Sequence, residues 1–213
     1  MKPAIILGSS SPYRKALLER LGIPFTTQSP DIDETPQSHE SISDYVLRMS
    51  QEKAKTIFNN CKIPNALIIT SDQSATLSST KSNKEATHDQ IIGKPHTIEN
   101  AQKQLESFSS NKVVFYTSVS ITCTRTHETK SKVTQYSVHF KKLSSEEISR
   151  YISIEKPLDC AGSFKCEGLG VRLFDKMEGE DPTSLEGLPL IAICDLLCHF
   201  GADPLTYKTV NSL

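Results

Sequence analysis

The stretch Ala4-Ile5-Ile6-Leu7-Gly8-Ser9-Ser10-Ser11-Pro12-Tyr13-Arg14 decides how the chain is read. Four consecutive apolar residues, closed by glycine and serine, form a short buried strand. Pro12 has no N–H and a preset φ, so it suits the first position of a helix. That helix carries Leu17, Leu18 and Leu21 on one side and stops at Gly22, a natural left-handed terminator. Strand, tight turn and helix in succession are the opening of an α/β fold.

Working outward, the alternation continues. A second helix is expected over Ser43 to Asn59, where Val46, Met49, Ala54, Ile57 and Phe58 approximate a helical stripe. Ala66 to Thr70 is the next buried strand, with Ser71-Asp72-Gln73 just beyond it. Ser78 to Gln90 has no apolar period and reads as a long exposed loop or flap. Ile98, Ala101, Leu105 and Phe108 recur at helical spacing behind Thr97, a capping residue. Lys112 to Thr124 and Lys132 to Leu143 are rich in β-branched and aromatic residues and should pair antiparallel. Ser144 with Glu147 three positions later makes a capping box for a helix to about Ile154, closed by Pro157. Pro189 opens a last apolar helix that Gly201 ends. No internal repeat is found, and the whole chain, residues 1–213, reads as a single mixed α/β domain with helices flanking a twisted sheet.

The bulk chemistry narrows the function classes. Lys and Arg total 24 against 25 Asp and Glu, so no basic excess exists to hold a nucleic-acid backbone or an anionic membrane. The absence of Trp counts further against stacking on single-stranded nucleic acid. No apolar run approaches a membrane span and no signal-peptide core is present, so a cytoplasmic location is expected. The six cysteines form no C-x-x-C pair and the six histidines no zinc spacing. Cys194 and Cys198 lie four apart in an apolar segment and read as buried residues on one helix face.

Candidate chemistry begins at the serine turn. Backbone N–H groups, the hydroxyls of Ser9 and Ser11, and Arg14 gather at one helix N-terminus, which attracts phosphate, although a serine before a helix ordinarily only caps it. Asp33-Glu34-Thr35-Pro36 and Ser71-Asp72-Gln73 supply carboxylates, the latter where open α/β sheets place functional side chains. Lys53 and Lys94 would each pass singly for surface lysines. Together, several cations and carboxylates on separate loops are what a triphosphate with a divalent ion requires.

These stretches carry a resemblance to the Maf family that runs over nearly the whole chain. The matching segments are Leu7-Gly8-Ser9-Ser10-Ser11-Pro12-Tyr13-Arg14, Asp33-Glu34-Thr35-Pro36, Gln51-Glu52-Lys53-Ala54, Ser71-Asp72-Gln73, Gly93-Lys94-Pro95, Phe115-Tyr116-Thr117, Cys160-Ala161-Gly162-Ser163-Phe164-Lys165 through Glu167-Gly168, and Asp181-Pro182 to Leu190. The resemblance implies a Maf/ITPase-like fold, two lobes around a deep cleft, and a nucleoside-triphosphate pyrophosphatase dependent on a divalent cation, magnesium or manganese. The Ser-Asp-Gln and Phe-Lys-x-Glu-Gly forms resemble the branch acting on 7-methyl-GTP. The branch acting on dTTP and UTP typically shows Asp-Thr and Gln-Gly instead. Gly8 stands where the family usually has Ala, Cys166 where Ser is common, and the 78–90 segment is longer than usual.

By this resemblance Asp72 is the general base for an in-line water, and Glu34 joins Asp72 in holding the cation. Arg14, Lys53 and Lys94 neutralise phosphate oxygens, which Ser9, Ser11 and the turn's N–H groups position. Tyr13, Gln73 and Glu167 face the base. The expected partner is a nucleoside triphosphate, with a homodimer compatible with the sequence and neither nucleic acid nor membrane expected. A dTTP/UTP pyrophosphatase and a nucleotide-binding regulator of cell division or septum formation stand as the alternatives.

Overall fold

The computed structural model describes residues 2–78 and 91–207. One six-stranded mixed sheet runs through it, built from β1 (Ala4–Gly8), β2 (Thr26–Thr27), β3 (Ala66–Leu77), β4 (Lys112–Cys123), β5 (Thr129–Phe140) and β6 (Phe174–Gly179). Its order is β2-β1-β3-β4-β5-β6, parallel around β1 and antiparallel from β3 onward. Five helices flank it: α1 (Pro12–Glu19), α2 (Ile42–Asn60), α3 (Ile98–Phe108), α4 (Ser145–Glu155) and α5 (Leu190–His199).

The expected caps are in place. Ser11, Thr97 and Ser144 each accept a hydrogen bond from the backbone N–H three residues on, and Glu147 returns the bond to the Ser144 N–H. Gly22 and Gly201 sit at φ 66° and 71°, ending α1 and α5 in the left-handed conformation. In β5, Tyr136, Val138 and Phe140 point inward as their alternation predicts.

Several boundaries differ from the sequence reading. The strand begun at Ala66 does not stop at Thr70 but continues to Leu77, because β4 pairs with it all the way from Leu67 to Leu77. The last long strand spans Thr129–Phe140 rather than 132–143, set by the register of β5 on β4. Two strands without local signal, β2 and β6, form by pairing onto β1 and β5. Cys198 is exposed and Cys194 only half-buried, the core face of α5 being Ala192, Ile193 and Leu197; Ile98 is also exposed. The expected 78–90 loop lies, apart from Ser78, outside the described residues.

The long β3 explains where a cleft forms. Side chains alternate between faces along a strand. On one face β3 reads Leu67, Ile69, Ser71, Gln73, Ala75, Leu77: apolar, then polar, then apolar. Leu67 and Ile69 pack with Leu17, Leu18, Ile193 and Leu197 of α1 and α5. Ala75 and Leu77 belong to a second apolar cluster with Leu105 and Phe108 of α3 and Ile148 and Tyr151 of α4. Ser71 and Gln73 fall in the gap between those two packed masses. The opposite face turns polar from Thr70 onward and lies under α2.

That polar layer is fully satisfied. Ser50 Oγ meets Ser118 Oγ at 2.7 Å and Ser120 Oγ at 2.8 Å, and Thr70 donates to the Ser50 carbonyl at 2.6 Å. Among the described residues no buried side-chain nitrogen or oxygen lacks a partner. The layer therefore fixes α2 on the sheet one turn before Lys53. Gly8 permits the same close approach from β1: a Cβ there would lie 2.4 Å from Ile57 Cδ1 and 2.6 Å from Thr70 Cγ2.

Candidate active site

β1 ends opposite Thr70, so among the described residues the second half of β3 has no neighbour on that edge except a single bridge from Ala75 to Ile92. The notch beyond the carboxyl end of β1 is a cavity of about 680 Å³. Open α/β sheets offer ligand sites at this position. All ten residues singled out from the sequence line it: Ser9, Ser11, Tyr13, Arg14, Glu34, Lys53, Asp72, Gln73, Lys94 and Glu167.

One flank is cationic. Lys53 is only 7% exposed, not the surface lysine its local sequence suggests, because α2 aims it at the polar half of β3. Its ammonium donates to Asp72 Oδ1 at 2.6 Å and lies 2.7 Å from Glu34 Oε1. Burial raises the Asp72 carboxyl above its ordinary value, with the Lys53 and Arg14 charges opposing only part of the rise. For Glu34, burial also acts upward, but its bond to Lys53 and the charges of Lys53, Lys94 and Arg14 outweigh it and leave the carboxyl lowered. The loop bearing Glu34 is held by Tyr45, whose hydroxyl donates to the Glu34 carbonyl at 2.9 Å. Tyr45 is a site residue that the sequence reading missed; its place one helical turn before Met49 was its only signal. Lys94 is exposed and, among the described residues, forms no ion pair.

Arg14 acts as a clamp as well as a cation. Its Nε donates to the Gly187 carbonyl at 2.9 Å and its Nη1 to the Ser71 carbonyl at 2.7 Å, tying α1 to β3 and to the 184–187 segment. Burial lowers its pKa, against the charges of Asp72 and Glu34. The serine turn is partly committed too. Ser9 Oγ accepts from the Ser11 N–H at 3.1 Å and Ser11 Oγ from the Arg14 N–H at 3.4 Å, so the hydroxyl hydrogens of both remain to donate.

The other flank suits a base. Gln73 Nε2 donates to Thr117 Oγ1 and to the Ser184 and Leu185 carbonyls at 3.0, 2.7 and 3.1 Å, which fixes the amide so that its carbonyl is the group left to accept. Gly187 turns the chain at φ +95°, a conformation a side chain would strain, and its carbonyl takes bonds from both Arg14 and Ser71. Glu167 is exposed and does not cap the turn at Gly168; Glu155 does, accepting the Leu169 N–H at 2.8 Å. Tyr13 lies close enough to Lys165 for the two to influence each other's charge, and the Lys165 ammonium donates to the Glu155 carbonyl at 2.7 Å. Cys160 and Cys166 border this flank, and burial pushes both thiols up to about 12, which disfavours the thiolate. Glu186 also lines it; it lies inside the Asp181 to Leu190 family segment, but was not singled out from the sequence.

A cleft beyond the end of a parallel strand, cationic on one flank and acidic with an aromatic ring on the other, defines a mixed α/β protein built to receive an organic polyanion. The chain belongs to the Maf-like protein family, whose profile matches residues 4–200. It is 44% identical over 205 residues to the 7-methyl-GTP pyrophosphatase of Colwellia psychrerythraea, covering 96% of each chain. It is 47% identical over 195 residues to the 7-methyl-GTP pyrophosphatase of Hydrogenovibrio crunogenus, covering 92% of each. The solved nucleoside-triphosphatase / dITP/XTP pyrophosphatase of Mycobacterium abscessus aligns over 89% of this chain and 98% of that one at 14% identity, with a TM-score of 0.42 too low to bear on function. Among the described residues no helix is long and apolar enough to cross a membrane.

Proposed function

We propose that this chain is a nucleotide pyrophosphatase that hydrolyses 7-methyl-GTP to 7-methyl-GMP and pyrophosphate, acting as a single cytoplasmic domain. The observation that carries this reading is the buried Lys53 held between Asp72 and Glu34 on one flank of a cavity whose other flank presents Tyr13, Gln73 and Glu167. The names of the two relatives supply the substrate.

Asp72 is the general base. Its Oδ1 is taken by Lys53, leaving Oδ2 to accept a proton from water attacking the α-phosphorus, and its raised pKa brings it nearer the working range of a base. Lys53, Lys94 and the outer guanidinium nitrogen of Arg14 neutralise the phosphate oxygens, with Ser9 and Ser11 donating hydroxyls. Pyrophosphate leaves toward Lys94, the exposed cation.

Glu34 and Asp72 fit a hard divalent cation, magnesium or manganese, because both offer carboxylate oxygens and share one ammonium, placing them within reach of a common ion. No group of three or more His, Cys, Asp or Glu side chains suited to a metal exists among the described residues, so substrate oxygens would complete the ion's shell. When bound, the ion supplies charge neutralisation of the triphosphate.

At the base end, N7-methylation places a positive charge on guanine, which favours the Tyr13 face and the Glu167 carboxylate over a neutral pyrimidine. The Gln73 carbonyl accepts from a purine N–H. The test is release of pyrophosphate from 7-methyl-GTP, GTP, dTTP and UTP by the pure protein, with and without magnesium, manganese or a chelator. No pyrophosphate from any of the four, with metal present, would leave the division-regulator alternative standing. A ranking led by dTTP and UTP would transfer the chain to the pyrimidine branch.

A further inference from the structure

We infer that Glu186 is a second carboxylate selecting for a cationic base, acting with Glu167 on the other side of the same pocket; this rests on the 7-methyl-GTP reading. The 184–187 segment is pinned into the cleft wall by four side chains. Gln73 and Thr117 hold the Ser184 carbonyl, Gln73 also holds that of Leu185, and Arg14 and Ser71 hold that of Gly187. The backbone of Glu186 is thus fixed from both sides, and its side chain is 19% exposed, lining the cavity.

Only one of its oxygens has a protein partner among the described residues: Oε2 meets Arg20 Nη2 at 3.1 Å. Arg20 is the residue that follows α1, seven positions after Tyr13 and so on nearly the same side of the helix. Glu186 therefore reaches the cavity wall from the C-terminal end of α1, about two turns beyond Tyr13, while Glu167 comes from the 160s loop, the segment against which Tyr13 also lies. The two carboxylates sense one another: Glu186 is raised first by burial and then, after relief from Arg20, by the Glu167 charge, and the Cys166 thiol feels both. A delocalised cation placed against Tyr13 relieves that repulsion, whereas a neutral guanine or pyrimidine leaves it in place. Arg20, half-exposed, tempers the effect by neutralising Glu186 from outside.

The two residues predict opposite outcomes. The readout is the ratio of kcat/KM for 7-methyl-GTP to that for GTP at saturating magnesium. Glu186→Gln should lower the ratio on the order of 5-fold, the scale of a solvent-screened charge interaction. Arg20→Gln should raise it, because the carboxylate is then unpaired. A merely structural role for the Arg20–Glu186 pair would make both variants less stable and move the ratio in neither. A wild type that prefers 7-methyl-GTP, with a ratio unmoved by Glu186→Gln, overturns this inference alone. A wild type that cleaves GTP and 7-methyl-GTP equally overturns the substrate reading beneath it.

Discussion

Replacing Lys53 by Met removes the ammonium while keeping most of the buried stem. The sequence alone suggests that its partner is a phosphate absent from the free protein, so that activity should suffer more than stability. The structure adds a stability cost to that expectation. In the free protein Lys53 already serves Asp72 at 2.6 Å and Glu34 at 2.7 Å. Asp72 is 7% exposed and would keep only the Arg14 charge to offset its own. Breaking one side of a buried ion pair costs about 3 kcal/mol or more. The Glu34 side, 55% exposed, adds well under about 1 kcal/mol. For a chain of this size, about 3 kcal/mol corresponds to a fall in Tm of roughly 6–12 °C.

The loss should depend on pH, and both carboxylates give the same sign. Asp72 has a raised folded pKa, so its ionisation costs stability as pH rises through that pKa, and removing Lys53 enlarges the cost. Glu34 has a lowered folded pKa, so it contributes stability above its unfolded value, and removing Lys53 deletes that contribution. The gap between wild type and Lys53→Met should widen as pH is raised from below the ordinary carboxylate range to neutrality. Thermal melts at pH 4, 5.5, 7 and 8 measure it, alongside pyrophosphate release at pH 7. A variant that melts with the wild type across this range would show that Lys53 does not bridge the two carboxylates in the free protein.

Asp72→Asn should retain the fold, since an amide keeps the shape and Lys53 keeps Glu34 as a charged partner, and should lose roughly 10²-fold or more in turnover; near-normal turnover at an unchanged Tm would remove Asp72 as the base. Glu167→Gln should reduce the preference for 7-methyl-GTP over GTP by about 10-fold or more in relative kcat/KM, and an unaltered ranking would leave Glu167 no part in selectivity. Gly8→Ala, which introduces the residue usual in the family, should cost about 1–3 kcal/mol here because the new methyl meets Ile57 and Thr70; a denaturant midpoint equal to wild type would mean that Ile57 repacks freely.

What could be read from the chain was whatever neighbours in sequence settle among themselves. The Ala4–Gly8 strand, the Pro12 start, the Gly22 stop and the Ser144–Glu147 box involve groups a few residues apart, and each formed as its local chemistry required. The ten candidate residues came from motifs, and they line one cavity. Their surroundings were not legible. Ser71-Asp72-Gln73 looks like the end of a strand because its own side chains are polar, yet β4, more than forty residues downstream, supplies backbone partners that carry β3 on to Leu77. Lys53 looks like a surface lysine because nothing near it in sequence is acidic except Glu52, yet its partners come from residues 34 and 72. Thr26–Thr27 and Phe174–Gly179 become strands only because sheet edges are there to receive them. Glu186 gains a place in the cavity wall only when Gln73, Arg14 and Ser71 pin its loop. The sequence by itself determined element type, caps and the chemical inventory, which depend on periodicity and on hydrogen bonds within a turn. Tertiary structure decided which charges are buried, which pair, and which face the cavity, because burial and Coulomb interaction depend on distance in space and not along the chain.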